Sequence, residues 1–417
     1  MTLDLKQMRA DGKAVFDQAG LPTRKLEQWK YTPLNKLDAL GFGAFDAVVP
    51  AIPDALPASV PEIDAYRVVL VNGRFATGLS DLSGLDPKVK LSGLDAAVSD
   101  APALVESLIG HQVKTDMPMA ALNAAQFEDG IVLHVPKGVA LEKPVHLVSL
   151  AGGADEPVSA HPRLLISLDE NAEATLIETH VSFGEGVSLI NGVTEISLGR
   201  HARLGHYKLQ SEGGDTTHVW LNGATLHDSA VYDSFVLQIG GGLVRNEIRV
   251  LLDGEHIDAR LSGAYFGTGT AHIDNTTFID HSRPNCQSRE VYKGVLDDES
   301  RGVFQGKILV RPHAQKTDGH QLNRALLLSS KAEFDSKPEL EIYADDVKCS
   351  HGATTGDLDP DQLFYLKARG IDEAQARAML VQAFLMESIE VIQKKAVRDV
   401  FADLLQARLT QSFGDLS

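Results

Sequence analysis

Short apolar triplets recur along the middle of the chain, and each triplet ends in a leucine. The leucines are Leu168, Leu198, Leu226, Leu252, Leu296 and Leu328, and they are separated by 30, 28, 26, 44 and 32 residues. Four of them are followed at the fourth position by Ala172, Ala202, Ala230 or Ala332, and at the sixth position by Ala174, Leu204, Tyr232 or Phe334. From Ile131 onward the segments between these copies are strand-like and are separated by Gly, Asp and Asn. The middle of the chain is therefore predicted to be a repeat of strands.

A strand, a tight polar turn and another strand, repeated about every thirty residues, are typical of a β-solenoid. Each coil of a solenoid buries its apolar residues against the coils on either side. The pattern thus predicts a mainly β fold with a solenoid core over residues 126–356. The irregular interval of 44 residues leaves a β-sandwich or a barrel built from hairpins as the alternative.

The N-terminal region, residues 1–125, is predicted to be a helical and mixed domain. Residues 1 to about 40 look helical, with Gly20-Leu21-Pro22 as a stop signal. Trp29 in the following charged stretch either packs against the first helix or belongs to a partner-docking patch. After a proline-rich loop, we predict a strand at 66–71 and helices at 101–109 and 117–127.

The C-terminal region, residues 357–417, is predicted to be a helical domain. Asp359 and Asp372 are predicted N-caps of two helices, with the first helix over residues 361–369. The apolar stripe of the next helix is Ala376, Met379, Leu380, Ala383, Phe384 and Ile389, and that of the last is Val397, Val400, Phe401, Leu404, Leu405 and Leu409. These stripes either pack on each other and on the end of the solenoid or form a docking module.

Charge and composition narrow the class of protein. There are 39 Lys and Arg against 57 Asp and Glu, which gives a formal charge of -18 and argues against nucleic acid or an anionic membrane as the partner of most of the surface. The N-terminal residues carry charges where a signal peptide needs an apolar core, so we expect a cytoplasmic protein. The two cysteines, Cys286 and Cys349, are too few for a disulfide scaffold.

The strongest candidate for chemistry is the segment 343–356, YADDVKCSHGATTG. Its flanks suggest extended backbone, in which Cys349 and His351 share one face. A thiolate and an imidazole together suit iron, zinc or an iron-sulfur cluster. The alternative is that Cys349 is only a small buried apolar residue. A cluster usually takes four protein ligands, so either the site is not a cluster or a second chain completes it.

The sequence contains neither a P-loop nor a glycine fingerprint for dinucleotide binding. The stretch 302–308 is one residue short of a P-loop and lacks the hydroxyl that would hold magnesium. Gly267-Thr268-Gly269 and the run Gly240 to Gly242 are predicted to be turns, because no helix follows either of them.

The residues that carry a family resemblance are Ala314 to Thr317, Asn323, Leu326 to Ser329, Pro338 to Ile342, Ala344 to Val347, Cys349, His351 to Thr354, Phe364 to Leu366 and Arg369-Gly370. In this order they resemble the SufB/SufD family of iron-sulfur cluster assembly proteins. The stretch RKLEQWKYT near the N-terminus is also similar to the N-terminal segment of SufD-type members. Ser350-His351-Gly352-Ala353-Thr354 stands where the SufB type reads Glu-His-Glu-Ala-Thr, so the chain resembles the SufD-type branch.

The resemblance implies a right-handed parallel β-helix between helical N- and C-terminal domains. It implies a heterodimer with a SufB-type paralogue through the end of the β-helix, and binding of a SufC-type ABC ATPase through the C-terminal helices. His351, and less directly Cys349, would bind transient iron or a nascent cluster shared with the partner chain, and the chain alone would hold no permanent cofactor. It would be a non-enzymatic scaffold subunit.

Two other functions remain open at this point. One is a carbohydrate-active enzyme on a β-helix, with Asp253, Asp258, Arg260 and Asp274 lining a cleft. The other is an interaction protein that self-associates as a homodimer through a strand edge.

Overall fold

Helices precede and follow a β-solenoid along the chain. The computed structural model describes residues 5–35, 37, 52–153 and 157–414. The helices are α1 (Leu5–Ala19), α2 (Leu94–Asp100), α3 (Pro102–Leu108), α4 (Pro118–Gln126), α5 (Pro360–Ala368), α6 (Glu373–Ile389) and α7 (Lys395–Phe413). The strands are β1 (Tyr66–Val71), β2 (Arg74–Phe75), β3 (Lys90–Gly93), β4 (Gly130–Val135), β5 (Val145–Gly152), β6 (Val158–Ala160), β7 (Arg163–Leu168), β8 (Glu173–Phe183), β9 (Ser188–Leu198), β10 (Arg203–Ser211), β11 (Thr216–Leu226), β12 (Val231–Gln238), β13 (Leu243–Leu252), β14 (Asp258–Gly267), β15 (His272–His281), β16 (Gln287–Leu296), β17 (Arg301–Val310), β18 (Asp318–Leu327), β19 (Glu333–Ile342) and β20 (Lys348–Gly356). Within these ranges, no helix is long and apolar enough to cross a membrane.

Two sheets run along the solenoid and enclose a lumen between them. Sheet 1 has the strand order β2-β1-β5-β8-β10-β12-β14-β16-β18-β20, and sheet 2 has the order β19-β17-β15-β13-β11-β9-β7-β4-β3, with β6 beside β9. From β8 onward the chain alternates between the sheets, and each strand pairs in parallel with the strand one coil away. The prediction of a solenoid is confirmed. The hairpin-built sandwich is wrong, because hairpins would give antiparallel neighbours.

The leucine pattern reports the register of the coils over its first four members. Leu168 pairs with Leu198, Leu198 with Leu226 and Leu226 with Leu252, and all four are buried in the lumen. Leu296 ends β16 in the other sheet, where it pairs with Gly267, and Leu328 follows β18 in that same sheet. The interval of 44 residues is therefore one coil plus the step to the opposite sheet, and the assignment of the last two leucines to the same ladder is wrong.

One corner of each central coil contains a residue in the left-handed backbone conformation. Asn171, His201, Ser229, His256, Asn285 and Lys316 all have φ between 57° and 62°. Such a conformation costs about 1 kcal/mol or more for a residue with a Cβ atom. Backbone hydrogen bonds to the next coil offset part of this cost, as when the amide of Asn171 donates to the carbonyl of Arg200 at 2.9 Å. The corners thus stack in register. The predicted turn at Gly240–Gly242 lies between β12 and β13, and Gly267 ends β14 so that Thr268 and Gly269 lie in the turn before β15.

The N-terminal elements cover the outer face of sheet 2. Trp29 is 5% exposed and shares an apolar cluster with Phe16 of α1 and with Val219 on the outer face of sheet 2, which confirms the packing interpretation. The guanidinium of Arg245 lies 4.1 Å from the Trp29 ring centroid and donates to Asp274 at 2.5 Å. A buried cation and its carboxylate therefore fix the segment around Trp29 to the sheet.

Most of the local predictions for the N-terminal region hold. The strand at 66–71 and the helices at 101–109 and 117–127 are present as β1, α3 and α4. The predicted helix ends at Ala19, and a single turn of 3₁₀-helix at Glu27–Trp29 follows it. Residues 1–4, 36 and 38–40 of that prediction lie outside the described residues. Because β1 pairs in parallel with β5, sheet 1 includes a strand from the predicted N-terminal domain.

The C-terminal helices pack on the outer face of sheet 1. Their buried side chains, among them Leu385 of α6 and Phe401 of α7, form one cluster with Phe235 and other outward residues of that sheet. The interpretation that they pack on the end of the solenoid is therefore wrong. The stripe of α7 is confirmed, whereas Ala383 of α6 is exposed, because the buried face of that helix runs through Ala378 instead. Asp359 and Asp372 accept hydrogen bonds from backbone amides at the starts of α5 and α6, as predicted.

Candidate functional site

Cys349 and His351 lie on β20, the last strand of sheet 1. Cys349 pairs with Gly319 of β18, and His351 pairs with Gln321. Gly319 continues the inward ladder that begins with Ala174 and Leu204, and residues two apart on a strand share a face, so both side chains belong to the lumen side. No coil lies beyond β20 in the described chain, so His351 is exposed and Cys349 is half-buried. The extended backbone predicted for this segment is confirmed.

The backbone of β20 leaves one row of polar groups free. The amide of Lys348 donates to the carbonyl of Thr317 at 2.8 Å, so Lys348 and every second residue after it face β18. The amide and carbonyl groups of Cys349, His351 and Ala353 therefore point away from the solenoid. A row of this kind is a template for pairing with a strand from another chain.

The other sheet ends in a similar free edge at β19. The amide of Tyr343 donates to Val310 at 2.9 Å, which places the nitrogen of Pro338, five residues away, on the free side. Proline has no amide hydrogen, and a position at an edge is where its loss breaks no hydrogen bond within the sheet. Ile342 and Tyr343 beside this edge are 41% and 62% exposed. Exposed apolar side chains next to two strands that each have a free edge are typical of a protein-binding surface. We call the surface formed by β19, β20 and residues 342–343 the open end.

Cys349 is held in an apolar environment that keeps its thiol protonated. It packs against a cluster that includes Ile308, Val310 and Val347. Burial raises the pKa of the Cys349 thiol above its ordinary value. A metal or a persulfide at this position must therefore displace the proton, and a neighbouring cation or metal would promote that step.

The second cysteine does not contribute to this end. Cys286 is fully buried at the start of β16, and its thiol donates to the carbonyl of Gly254 at 3.0 Å. Burial raises the pKa of Cys286 to about 11. Cys286 therefore serves as a small buried side chain at a corner of the coil. Among the described residues of the open end, Cys349 and His351 are the only thiol and imidazole ligands.

A buried carboxyl lies behind His351 along the same ladder. Gln321, the neighbour of His351, donates its Nε2 to Glu290 Oε2 at 2.8 Å, and Glu290 pairs with Gln321 in the next coil inward. Burial raises the pKa of Glu290 to about 7. The carboxyl therefore changes its protonation state near neutral pH within two strands of the open end. Nothing in the local sequence around Glu290 indicates this, because the three residues are about thirty positions apart.

Replacing Glu290 by Gln is expected to change the pH dependence of stability. The pKa of Glu290 is about 7 in the folded chain and close to 4.5 in the unfolded chain, so the folded state binds the extra proton between these pH values. The stability associated with that proton is present below pH 4.5 and is lost as the pH rises through 7. The difference corresponds to about 3 kcal/mol. Urea unfolding at several pH values should therefore show the Gln variant gaining about this much relative to the native chain between pH 4.5 and 8.

A matched control for this measurement is Glu299→Gln, since Glu299 is exposed and pairs with Lys331. Buried His146 and His281, whose pKa values burial lowers to about 4, destabilise both proteins equally as the pH falls. Parallel stability curves for the native chain and the Glu290 variant would contradict the assignment.

The outer face of β20 is tied to β18 by polar side chains. His320 contacts Asp318 Oδ1 through Nε2 at 2.8 Å and Ser350 Oγ through Nδ1 at 2.5 Å. Arg289 lies 2.9 Å from Asp318 and lowers the pKa of that carboxyl. This row is exposed on a flat sheet surface, and its effect is to fix the register of β20, which in turn positions Cys349 and His351 on the opposite face.

The residues considered for carbohydrate chemistry do not share a cleft. Asp258 pairs with Arg260 on β14 of sheet 1. Asp274 lies on β15 of sheet 2, where it is buried under the N-terminal segment. Asp253 accepts a hydrogen bond from Arg283 at a corner of the coils. The four side chains therefore belong to three separate places.

A second exposed apolar feature lies on α5. Phe364 and Tyr365 are 73% and 57% exposed, and the guanidinium of Arg369 lies 5.0 Å from the Tyr365 ring centroid. Large aromatic side chains with this exposure are common in protein-binding surfaces.

Comparison with known proteins gives matches over nearly the whole chain. The family described as SUF system FeS cluster assembly, SufBD core domain, matches residues 150–384, and the SufBD protein N-terminal region matches residues 2–147. The iron-sulfur cluster assembly protein SufD of Escherichia coli is 34% identical over 388 residues, which cover 91% of this chain and 88% of the relative. A SufBD family protein of Synechocystis is 30% identical, covering 89% and 84%, and SufD of Bacillus subtilis is 28% identical, covering 76% and 72%.

Proposed function

The chain is a SufD-type member of the SufB/SufD family of iron-sulfur cluster assembly proteins, and from this we propose that it is a non-catalytic scaffold subunit that holds one side of a nascent cluster. Its open end pairs with a SufB-type paralogue, and its C-terminal helices bind a SufC-type ATPase. The cluster is the cargo of the assembly and leaves the complex when it is complete.

The observation that carries this proposal is the position of His351. It is an exposed imidazole on the lumen face of an unpaired edge strand, beside the half-buried thiol of Cys349. A strand from a partner chain that pairs with β20 would extend the solenoid by one coil and would bring its own side chains next to His351. The interface between the two chains then becomes a closed site with ligands from both.

The number of ligands supports a shared site. A cluster is held by about four protein ligands, and the open end offers two among the described residues. Cys286 cannot supply a third, because it is buried at a corner in a coil further inward. The partner chain must therefore provide the remaining ligands, which explains why the chain alone is incomplete.

The placement of the C-terminal helices suits an ATPase that acts from the side. They lie along the outer face of sheet 1, and Lys293 of β16 forms an ion pair with Glu387 of α6. ATP binding and hydrolysis in the docked subunit move these helices against the sheet. The interface with the paralogue at the open end then separates and admits iron and persulfide sulfur. The exposed pair on α5 is the proposed contact for the ATPase.

Co-expression with a SufB-type paralogue and a SufC-type ATPase tests the proposal. We expect a complex of all three chains that accumulates iron and sulfide, and within it Phe364→Asp combined with Tyr365→Asp should weaken ATPase binding by about ten-fold or more. Both side chains are exposed, so the melting temperature of the isolated variant should not change. Leu26→Asp, another exposed apolar position, is the control and should bind the ATPase normally.

Retention of the ATPase by the double variant would place the ATPase contact elsewhere. Recovery of this chain alone, without either partner and without effect on cluster formation, would overturn the proposed function.

The free edge of β20 also favours a second candidate, a homodimer of this chain. Two copies could pair edge to edge at the open end when the paralogue is absent. Mass measurement with and without the paralogue separates the two, since a competing homodimer disappears when the paralogue is added.

A further inference from the structure

The lumen contains a second group of metal-ligating side chains far from the open end. His180 lies on β8, Glu212 follows β10, and His218 lies on β11. All three are buried, and each offers a ligand atom within 4.8 Å of those of the other two. Five strand spacings of about 4.8 Å separate β10 from β20, so the group is about 24 Å from Cys349 and His351.

Both histidines keep one ring nitrogen without a partner. His180 Nε2 contacts Glu178 Oε2 at 2.7 Å, while its Nδ1 makes no hydrogen bond. His218 Nδ1 contacts Glu212 Oε1 at 2.7 Å, while its Nε2 makes no hydrogen bond. A buried polar atom without a partner costs about 1–3 kcal/mol. For His180, the contact of Nε2 with Glu178 and the free Nδ1 form the usual arrangement of a metal-binding histidine. His218 Nδ1 and Glu212 Oε1 contact each other, so an ion bound by both would lie between these two atoms in place of the proton.

We propose that His180, Glu212 and His218 bind one divalent transition-metal ion inside the solenoid. Two imidazoles and one carboxylate are the ligand set of known zinc and non-haem iron(II) sites. Ligand atoms at about 2.1 Å from a common ion stand up to about 4.2 Å apart, so the three side chains need only a small inward movement to reach it.

Trp220 and Lys208 border the site, and the Lys208 ammonium lies 4.5 Å from the Trp220 ring centroid. Trp220 packs against both histidines, with ring centroids 4.6 Å from His180 and 5.5 Å from His218. The ammonium of Lys208 lies 3.5 Å from Glu178, the carboxylate behind His180. Glu178 also contacts His180 and His206, so three neighbours engage its carboxylate, whereas the carboxylate of Glu212 contacts Gln210 and His218.

An ion can reach the site through the nearest corner of the coils. Glu212 stands directly before the exposed glycines Gly213 and Gly214. Gly242 of the next corner packs so closely that a Cβ atom there would lie 2.1 Å from the carbonyl oxygen of Gly214. Opening this corner breaks a few turn contacts and leaves both sheets paired, so metal exchange does not require unfolding of the solenoid.

Metal binding to the purified full-length chain, without partners, tests this site. The chelator-treated protein is equilibrated anaerobically with Fe²⁺ and, separately, with Zn²⁺, and the bound metal is counted after gel filtration. We expect one ion per chain with either metal, and X-ray absorption spectra with nitrogen and oxygen ligands and no sulfur. Glu212→Gln and His218→Asn should each weaken binding by about ten-fold or more.

The matched control is His281→Asn, which removes another fully buried lumen histidine that contacts Ser288 rather than a carboxylate. It should retain the ion. If His218→Asn does not fold, melting temperatures test the site instead. Metal should raise the melting temperature of the native chain and should not raise that of Glu212→Gln. The site is overturned if no stoichiometric metal binds, or if binding survives both ligand variants. Loss of the ion in His351→Ala alone would also overturn it, because that result places the metal at the open end.

Discussion

Substituting His351 by Ala is expected to reduce cluster loading of the assembled complex by about ten-fold or more, because the proposed site would lose its imidazole ligand. His351 is exposed and lies on an edge strand, so the variant should fold, melt and bind its partners like the native chain. The measurement is iron and acid-labile sulfide per complex after anaerobic reconstitution. His351→Cys supplies a different soft ligand and should restore part of the loading.

His320→Ala is the matched control for this substitution. His320 lies on the adjacent strand β18 but faces outward, where it contacts Asp318 and Ser350. Its removal should leave loading nearly unchanged. Equal loss in both variants would indicate that the strand pairing of β20 matters and that the imidazole of His351 does not bind iron.

Changing Ala353 to Pro is expected to weaken pairing with the SufB-type paralogue by about ten-fold or more. The backbone amide of Ala353 belongs to the free row of β20, so its loss removes a hydrogen bond to the partner strand and none to β18. Ala353 is exposed, so the isolated chain should keep its melting temperature. The affinity of the two chains can be measured by titration with mass detection.

Two further variants separate edge pairing from other effects. Ala353→Ser keeps the amide and should pair normally. Thr354→Pro removes an amide that faces β18 and should lower the stability of the isolated chain itself. If Ala353→Pro pairs as tightly as the native chain, the partner does not add a strand to β20, and the open end is not the site of pairing.

The sequence was sufficient to predict the solenoid because the register of the coils is carried by apolar residues. The stacked leucines from Leu168 to Leu252 show this directly, since each pairs with the next in the structure. The pattern failed after Leu252 because its partner in the next coil is His281, and the next triplet that ends in a leucine, at Leu296, lies in the opposite sheet. Apolar spacing alone does not tell one sheet of a coil from the other.

The candidate site was predictable only in part. Cys349 and His351 are two residues apart, and strand geometry places them on one face without further information. The groups behind them come from other coils, so their proximity depends on a register that the sequence does not state. Gln321 and Glu290 are brought under His351 by three stacked strands, and burial raises the pKa of Glu290 to about 7 although hydrogen bonds with Thr277 and Gln321 lower it.

The position of the C-terminal helices has the largest consequence for function. Their apolar stripes fit equally well on the end or on the side of a solenoid, and the sequence does not distinguish the two. Because they cover the outer face of sheet 1, β19 and β20 keep their free edges. Apolar residues at the ends of strands, such as Ile342, are then exposed in this chain.

The most direct test of the shared site is pulsed electron paramagnetic resonance of the reduced cluster in the three-chain complex. With native His351 we expect a nitrogen hyperfine coupling from a directly bound imidazole. When this chain alone is labelled with ¹⁵N-histidine, the ¹⁴N coupling should be replaced by a ¹⁵N coupling. In His351→Ala that coupling should disappear. A coupling that persists unchanged in the variant, or that does not respond to labelling of this chain, would contradict the assignment of His351 as a ligand of the cluster.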